Sequence, residues 1–144
     1  MTSVSVEELE QCINLLKQWN QSERSNRMFH LTLPFPPTVN TYWRTFQGRM
    51  LISKEGREYR EAVGDQITLQ HGAKHFTKKL KVEIEAWRPD KRRRDLDNLL
   101  KATLDGLAHA GVYDDDSQIV DLRIYWAKDI GGMLKIWIEE LPDV

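Results

Sequence analysis

Between Arg88 and Gln118 the chain carries five cations in seven positions (Arg88, Lys91, Arg92, Arg93, Arg94), then Asp95 and Asp97, then the triplet Asp114-Asp115-Asp116. The chemistry open to such residues is specific. Aspartates are hard oxygen donors of the kind that hold Mg²⁺ or Mn²⁺. A carboxylate-bound Mg²⁺ can position water and neutralise charge on a phosphodiester. Clustered Lys and Arg grip a phosphate backbone without reading its sequence. Asp97, Lys101 and Asp105 fall at i, i+4 and i+8, so a helix there would carry them on one face. A lysine so placed could stabilise developing charge. Asp115 and Asp116 come after that helix. They join Asp95 and Asp97 if the following strands return beside the helix start.

Other readings compete at this point. Acidic triplets and arginine runs are commonly solvated surface. A D-x-D pair also occurs in phosphatases, which want an apolar strand directly before it, whereas Arg92-Arg93-Arg94 precedes it here. A glycosyltransferase would need a larger nucleotide-sugar domain. A calcium loop needs an oxygen ligand and then Gly where Leu99 and Leu100 stand. Spacing alone leaves metal-dependent chemistry on nucleic acid and a solvated charged face both open.

These residues need elements to position them. Leu80, Val82, Ile84 and Ala86 alternate with charged residues, which predicts a strand delivering the chain to the basic run. Leu96, Leu99, Leu100, Thr103, Leu104, Leu107 and Ala108 mark one face of a helix, with Gly111 at its C′ position. Val120 to Trp126 and Leu134 to Ile138 alternate around Asp129-Ile130-Gly131-Gly132, so 118–139 reads as a β-hairpin. Upstream, Phe29, Leu31 and Leu33 predict a strand ended by Pro34-Phe35-Pro36-Pro37. Asn40, Tyr42, Trp43 and Arg44 fall in a loop. Gly48 marks a turn, and Met50 to Ile52 a short strand. Ser53 caps a helix over 54–70. His71 and His75 have i,i+4 spacing across Gly72, but zinc would need more ligands, so solvated loop histidines are expected. At the start, Ser5 and Glu8 have capping-box spacing before an amphipathic helix over 5–19, and 20–27 reads as a polar linker. The expected fold class is α+β: a small mixed or antiparallel sheet with packed helices, plus an extra N-terminal helix. The expected division is 1–27 as helix and linker and 28–144 as the functional domain.

Bulk composition narrows the setting. A chain of 144 residues with 40% hydrophobic and 30% charged residues is long enough to bury a core. The net charge of −1 means that nucleic-acid affinity must come from where the charge sits. The single Cys12 excludes an internal disulfide and a thiolate metal site. No signal-peptide pattern is seen and no apolar stretch approaches the roughly 20 residues of a membrane span, so a cytoplasmic protein is expected.

At RRRDLDNLLKATLDGLAHAGVYDDDSQIVD the chain resembles the RusA-type Holliday junction resolvases of bacteria and phages, with their D-x-D-N-x-x-K opening and paired aspartates. LTLPFPPTVNTYWR is similar to the family's L-P-x-P-P-x-x-N-x-Y block, and GRMLISKEGREYREAV to the segment after it. The likeness spans about 29–139. It implies a mixed α/β homodimer and a Mg²⁺-dependent endonuclease that resolves four-way DNA junctions by paired symmetric nicks in recombination and repair. By the same resemblance the essential carboxylates fall on Asp95, Asp97 and Asp116 and the lysine on Lys101. Asp115 matches a neighbouring acidic position. Asn40 and Arg44 would join Arg88 and Lys91 to Arg94 as DNA-facing residues. The alternative from another class is a branched-DNA-binding protein without catalysis.

Overall fold

The computed structural model describes residues 4–70 and 74–143. His71 therefore lies outside the described residues. The elements run α1 (Val6–Arg27), β1 (Met28–Pro34), α2 (Val39–Tyr42), β2 (Trp43–Phe46), β3 (Arg49–Ile52), α3 (Lys54–Gln70), β4 (Leu80–Trp87), a 3₁₀ turn (Leu96–Leu99), α4 (Leu100–His109), a second 3₁₀ turn (Asp116–Gln118), β5 (Ile119–Trp126) and β6 (Met133–Glu140). This is the α+β arrangement expected: a mixed four-stranded sheet with helices packed on one face, and a separate β2–β3 ribbon.

The sheet order is β1-β6-β4-β5. β6 runs antiparallel to both β1 and β4, while β4 and β5 are parallel. The expected hairpin over 118–139 is therefore wrong. β5 and β6 do not pair, because β4 lies between them. The glycine turn crosses the end of β4 instead: the N–H groups of Gly131 and Gly132 donate to the Arg88 carbonyl at 2.9 and 3.1 Å. Parallel strands need a crossover connection, and the segment that supplies it is the one carrying the aspartates.

Alternation explains the core. Leu80, Val82, Ile84 and Ala86 of β4 share one face with Leu31, Leu33, Leu134, Ile136 and Ile138, all essentially inaccessible. α3, the first 3₁₀ turn and α4 cover that face with Tyr59, Val63, Ile67, Leu99, Ala102 and Leu107. Ser53 caps α3 as expected: its hydroxyl accepts from the Gly56 N–H at 3.0 Å and donates to the Thr41 carbonyl. Gln47 and Gly48, with φ of 50° and 73°, make the tight turn of the β2–β3 ribbon. α1 opens on the expected reciprocal cap between Ser5 and Glu8. It then continues to Arg27, so the linker expected over 20–27 is helical. That stretch is polar but holds no Pro or Gly to stop a helix.

α4 ends on a Schellman pair: Gly111 N–H bonds to Ala108 and Val112 N–H to Leu107. Gly111 sits at φ +84° with nothing within 4 Å of where a Cβ would be. Space is free there, but the left-handed backbone is not. Gly111→Ala should cost about 1 kcal/mol, read as a lowered urea midpoint with an unchanged slope.

Candidate active site

The loop 88–95 is built from pairs of cations and partners, and they sort the basic run. Arg88 lays its guanidinium 4.2 Å from the Trp126 ring centre. Phe35 stacks on Trp126 at 6.4 Å and 14°. Arg94 lies 5.6 Å from the Phe35 ring. Arg88 and Arg94 thus bracket two stacked rings. Arg94 also donates both terminal nitrogens to Asp90, one at 3.1 Å, and Asp90 accepts the Arg92 N–H at 2.9 Å. The Arg92 guanidinium stays 3.9 Å from Asp90. The Arg94 fork, with the Arg92 amide, holds the Asp90 carboxyl at about 2. Asp90 and Arg94 therefore shape the loop. Lys91 and Arg93 are exposed and have no ion-pair partner among the described residues.

The Asp90 carboxyl is depressed in the folded chain, so the latch is complete above the usual aspartate range near 4 and is lost as pH falls towards 2. A ¹³C-detected carboxyl titration should give Asp90 a midpoint near 2. Arg94→Gln should return it to the ordinary range.

Asp95 occupies the N-cap position of the first 3₁₀ turn with extended backbone, yet its carboxylate makes no capping bond. Asp97 lies one residue into the turn. Both are exposed, and neither carboxylate makes a hydrogen bond or ion pair among the described residues. Aspartates at a helix start gain from the free N–H groups there. Thr38, Arg93, Arg94, Asp95, Asn98 and Leu99 line an open cleft of about 370 Å³. α2, which follows the cleft-lining Thr38, carries exposed Asn40, and β2 carries exposed Arg44, whose guanidinium is 5.8 Å from the Phe46 ring. Exposed Lys101 holds its ammonium 5.5 Å from the Trp43 ring.

The acidic triplet is divided. Asp114 pairs with His75 at 3.0 Å, and that histidine's other nitrogen lies 2.6 Å from the Gly111 carbonyl oxygen. Asp115 caps the second 3₁₀ turn by accepting the Ser117 N–H at 3.4 Å. The Ser117 hydroxyl, and then its N–H, hold the Asp115 carboxyl below the usual range. Gln118 ties the loop down, accepting from Asp114 and Asp115 and donating to the Phe76 and Lys78 carbonyls. Asp116 is exposed at the start of the turn, with no ion pair among the described residues.

One cluster escaped the sequence reading. Tyr42 is not a loop residue but the buried end of α2. Its hydroxyl donates to Asp105, and Arg60 of α3 donates its Nε to Asp105 at 2.8 Å and to the Tyr42 oxygen at 3.0 Å. Three helices are joined there. Burial raises the Asp105 carboxyl, with Asp116 adding to the rise and His109 opposing it. Burial, then the charge of Asp116, also raises the Tyr113 hydroxyl. These partners are 18 to 63 residues apart, so no local spacing reveals them.

The carboxylates occupy two levels of one helix. Asp95 and Asp97 lie at its start, and Asp116 is felt by Asp105 in its second half. Roughly 12 Å of helical rise separates Asp97 from Asp105. Among the described residues no three His, Cys, Asp or Glu side chains gather closely enough to hold an ion. Asp95 and Asp97, without a side-chain partner among the described residues, are hard oxygen donors, the donor chemistry a divalent cation of the Mg²⁺ type fits.

Unpaired carboxylates beside unpaired cations, on a small α+β frame, are the equipment of an enzyme that works on phosphodiesters. The sequence pattern of the family described as "Endodeoxyribonuclease RusA" matches residues 34–140. The chain is 45% identical over 118 residues to the crossover junction endodeoxyribonuclease rusA of Enterobacteria phage HK97, covering 81% of this chain and 98% of that one. It is 43% identical to the protein of the same name from Enterobacteria phage 82 over 114 residues, covering 78% and 95%. It is 41% identical to the crossover junction endodeoxyribonuclease RusA of Escherichia coli K12 over 114 residues, with the same shares. The chain belongs to the RusA endodeoxyribonuclease family. Among the described residues no helix is long and apolar enough to cross a membrane.

Proposed function

We propose that the chain is a Mg²⁺-dependent, structure-selective endodeoxyribonuclease. It resolves four-way DNA junctions as a homodimer, by paired symmetric nicks, within recombination and repair. The observation that carries this is the Asp95–Asp97 pair. Two exposed carboxylates without a side-chain partner among the described residues stand at the start of the turn, and Asp95 lines a cleft that also carries Arg93. A surface built only to bind phosphate gains nothing from bare carboxylates there.

Asp95 and Asp97 would hold the cation, with Asp116 as the third carboxylate and Asp115 shaping its loop. Mg²⁺ would supply charge neutralisation at the phosphodiester; Mn²⁺ fits the same oxygen donors. Lys101, resting over Trp43, can swing an ammonium towards charge that develops on the scissile phosphate. Lys91 and Arg93 bind the flanking backbone, with Arg92 beside them. Arg88 and Arg94 hold that loop in shape and lend it positive field. Exposed Asn40 and Arg44 would meet DNA from α2 and β2. Two sites related by a twofold axis suit a junction whose strands are related the same way. The reaction is set where bacterial and phage chromosomes recombine, in the cytoplasm.

A labelled four-way junction and a linear duplex of the same sequence, each with Mg²⁺ and with EDTA, test the reading. Paired symmetric nicks on the junction alone, abolished by EDTA, are expected. Binding without cutting in Mg²⁺ and in Mn²⁺ would overturn it. The basic loop makes its own prediction. Arg93→Ala should weaken binding to every DNA alike and lower the slope of log K against log salt by about 0.9, measured by fluorescence anisotropy across a salt series.

A further inference from the structure

The cluster of Tyr42, Arg60 and Asp105 takes no part in the chemistry proposed above, yet it lies one helical turn from Lys101. Lys101 and Asp105 stand at i and i+4 on α4, so they share a face. Tyr42 and Trp43 are neighbours at the point where α2 ends and the backbone becomes extended at Trp43. Each member of one pair meets a member of the other. The Tyr42 hydroxyl donates to Asp105, and the Trp43 ring centre lies 5.5 Å from the Lys101 ammonium. The Tyr42 and Trp43 rings stand edge to face at 5.1 Å and 89°. Two rungs, one turn apart, thus set the α2–β2 arm along α4.

α2 cannot hold that place by itself, because four residues make too short a helix to be stable alone. Among the described residues the Tyr42–Asp105 bond is the only hydrogen bond that joins α2 or β2 to α4. Tyr42 is fully buried. α3 comes against it so closely that a Cβ on Gly56 would lie 2.7 Å from the Tyr42 carbonyl oxygen. Arg60 completes the tie from α3. Its Nε is shared between Asp105 at 2.8 Å and the Tyr42 oxygen at 3.0 Å, and its guanidinium lies 5.9 Å from the Tyr42 ring. Arg60 and Asp105 are mostly covered, at 24% and 23% exposed. Packing alone does not ask for this, since apolar residues of similar volume stabilise at least as well as a covered ion pair. What the phenol and the ion pair add is direction.

We propose that Tyr42, Arg60 and Asp105 are positioning residues for cleavage: they fix Trp43 beside α4, and the Trp43 ring holds the Lys101 ammonium where it can reach the scissile phosphate. Lys101 has a flexible four-carbon stem, so without that support its charge persists but its place does not. This rests on the nuclease reading of the preceding section and on the part Lys101 has in it.

The test is single-turnover cutting of the four-way junction in Mg²⁺, beside junction affinity by gel shift. Tyr42→Phe removes one hydroxyl and keeps the ring. It should slow cutting about tenfold, the scale of a small misplacement at a reacting centre, and leave affinity unchanged. In a Lys101→Ala background it should slow cutting no further, because the group it acts through is gone. Asp105→Asn, which still accepts from Tyr42 and Arg60, should keep most of the rate that Asp105→Ala loses. A second readout needs no turnover. Ring current from Trp43 should shift the Lys101 ε-methylene protons upfield in the NMR spectrum, and Tyr42→Phe should return them to the ordinary lysine position. Where Lys101→Ala leaves too little cutting to measure, that resonance decides. Urea midpoints show that each variant is folded, and Trp43→Phe, which leaves the cluster intact, tests the same link if Tyr42→Phe is not. Equal slowing with and without Lys101, an unmoved Lys101 resonance, or an Asp105→Asn as slow as Asp105→Ala overturns the positioning role alone. A wild-type chain that binds the junction and cuts it in neither Mg²⁺ nor Mn²⁺ overturns the nuclease reading with it.

Discussion

Asp97→Asn should bind a four-way junction as tightly as the unchanged chain and fail to cut it. The side chain is exposed and has no partner among the described residues, so the substitution removes charge without disturbing packing. The phosphate contacts proposed for Lys91 and Arg93 should persist, and one repulsive carboxylate is gone. What is lost is half of the donor pair that would hold Mg²⁺. The cutting rate should fall by roughly a thousandfold or more, the scale seen when transition-state charge loses a fixed stabilising group. A gel-shift titration beside a single-turnover cleavage assay in Mg²⁺ checks both halves. Cutting at the normal rate would remove Asp97 from the site.

Leu99→Ala has the largest expected effect on stability. Leu99 is wholly inaccessible, at the point where the 3₁₀ turn passes into α4, and it lines the floor of the cleft beside Asp95. Truncation leaves a cavity that the sheet beneath cannot fill. A cost of about 3 kcal/mol is expected, a large part of what a domain of this size has. A urea midpoint that moves by less than a few tenths molar would show that the site collapses freely. Leu100→Ala, at a half-buried position, should cost clearly less.

Local signals were readable and distant pairings were not. The Ser5–Glu8 cap, the Ser53 cap, the span of α3 and the Gly111 stop each depend on residues within one helical turn, and each was visible in the letters. The strand pattern of β5 and β6 was visible too, but not its pairing. Two alternating stretches around Asp-Ile-Gly-Gly look like a hairpin. Only the apolar face of β4, forty residues earlier in the register, decides that β4 belongs between them. The site divides in the same way. Asp95 and Asp97 were conspicuous for chemistry. The basic run looked uniform, and only Asp90, Phe35 and Trp126 separate cations that shape the loop from cations that are free. Asp105 was placed beside Asp97 and Lys101 by spacing alone. Its partners are Tyr42 and Arg60, on two other helices.

β6 is made after every other strand and yet sits inside the sheet, between β1 and β4. On the ribosome, β1 must wait for a neighbour about a hundred residues further along. Asp95, Asp97 and Asp116 all emerge before it. So does Arg88, whose carbonyl is clamped only when Gly131 and Gly132 arrive. The loop that would hold the cation is thus completed last, when the closing strand slots in. A chain without β6 would leave that loop unclamped at Arg88 and β1 without its neighbour, so the proposed site depends on the strand made furthest from it.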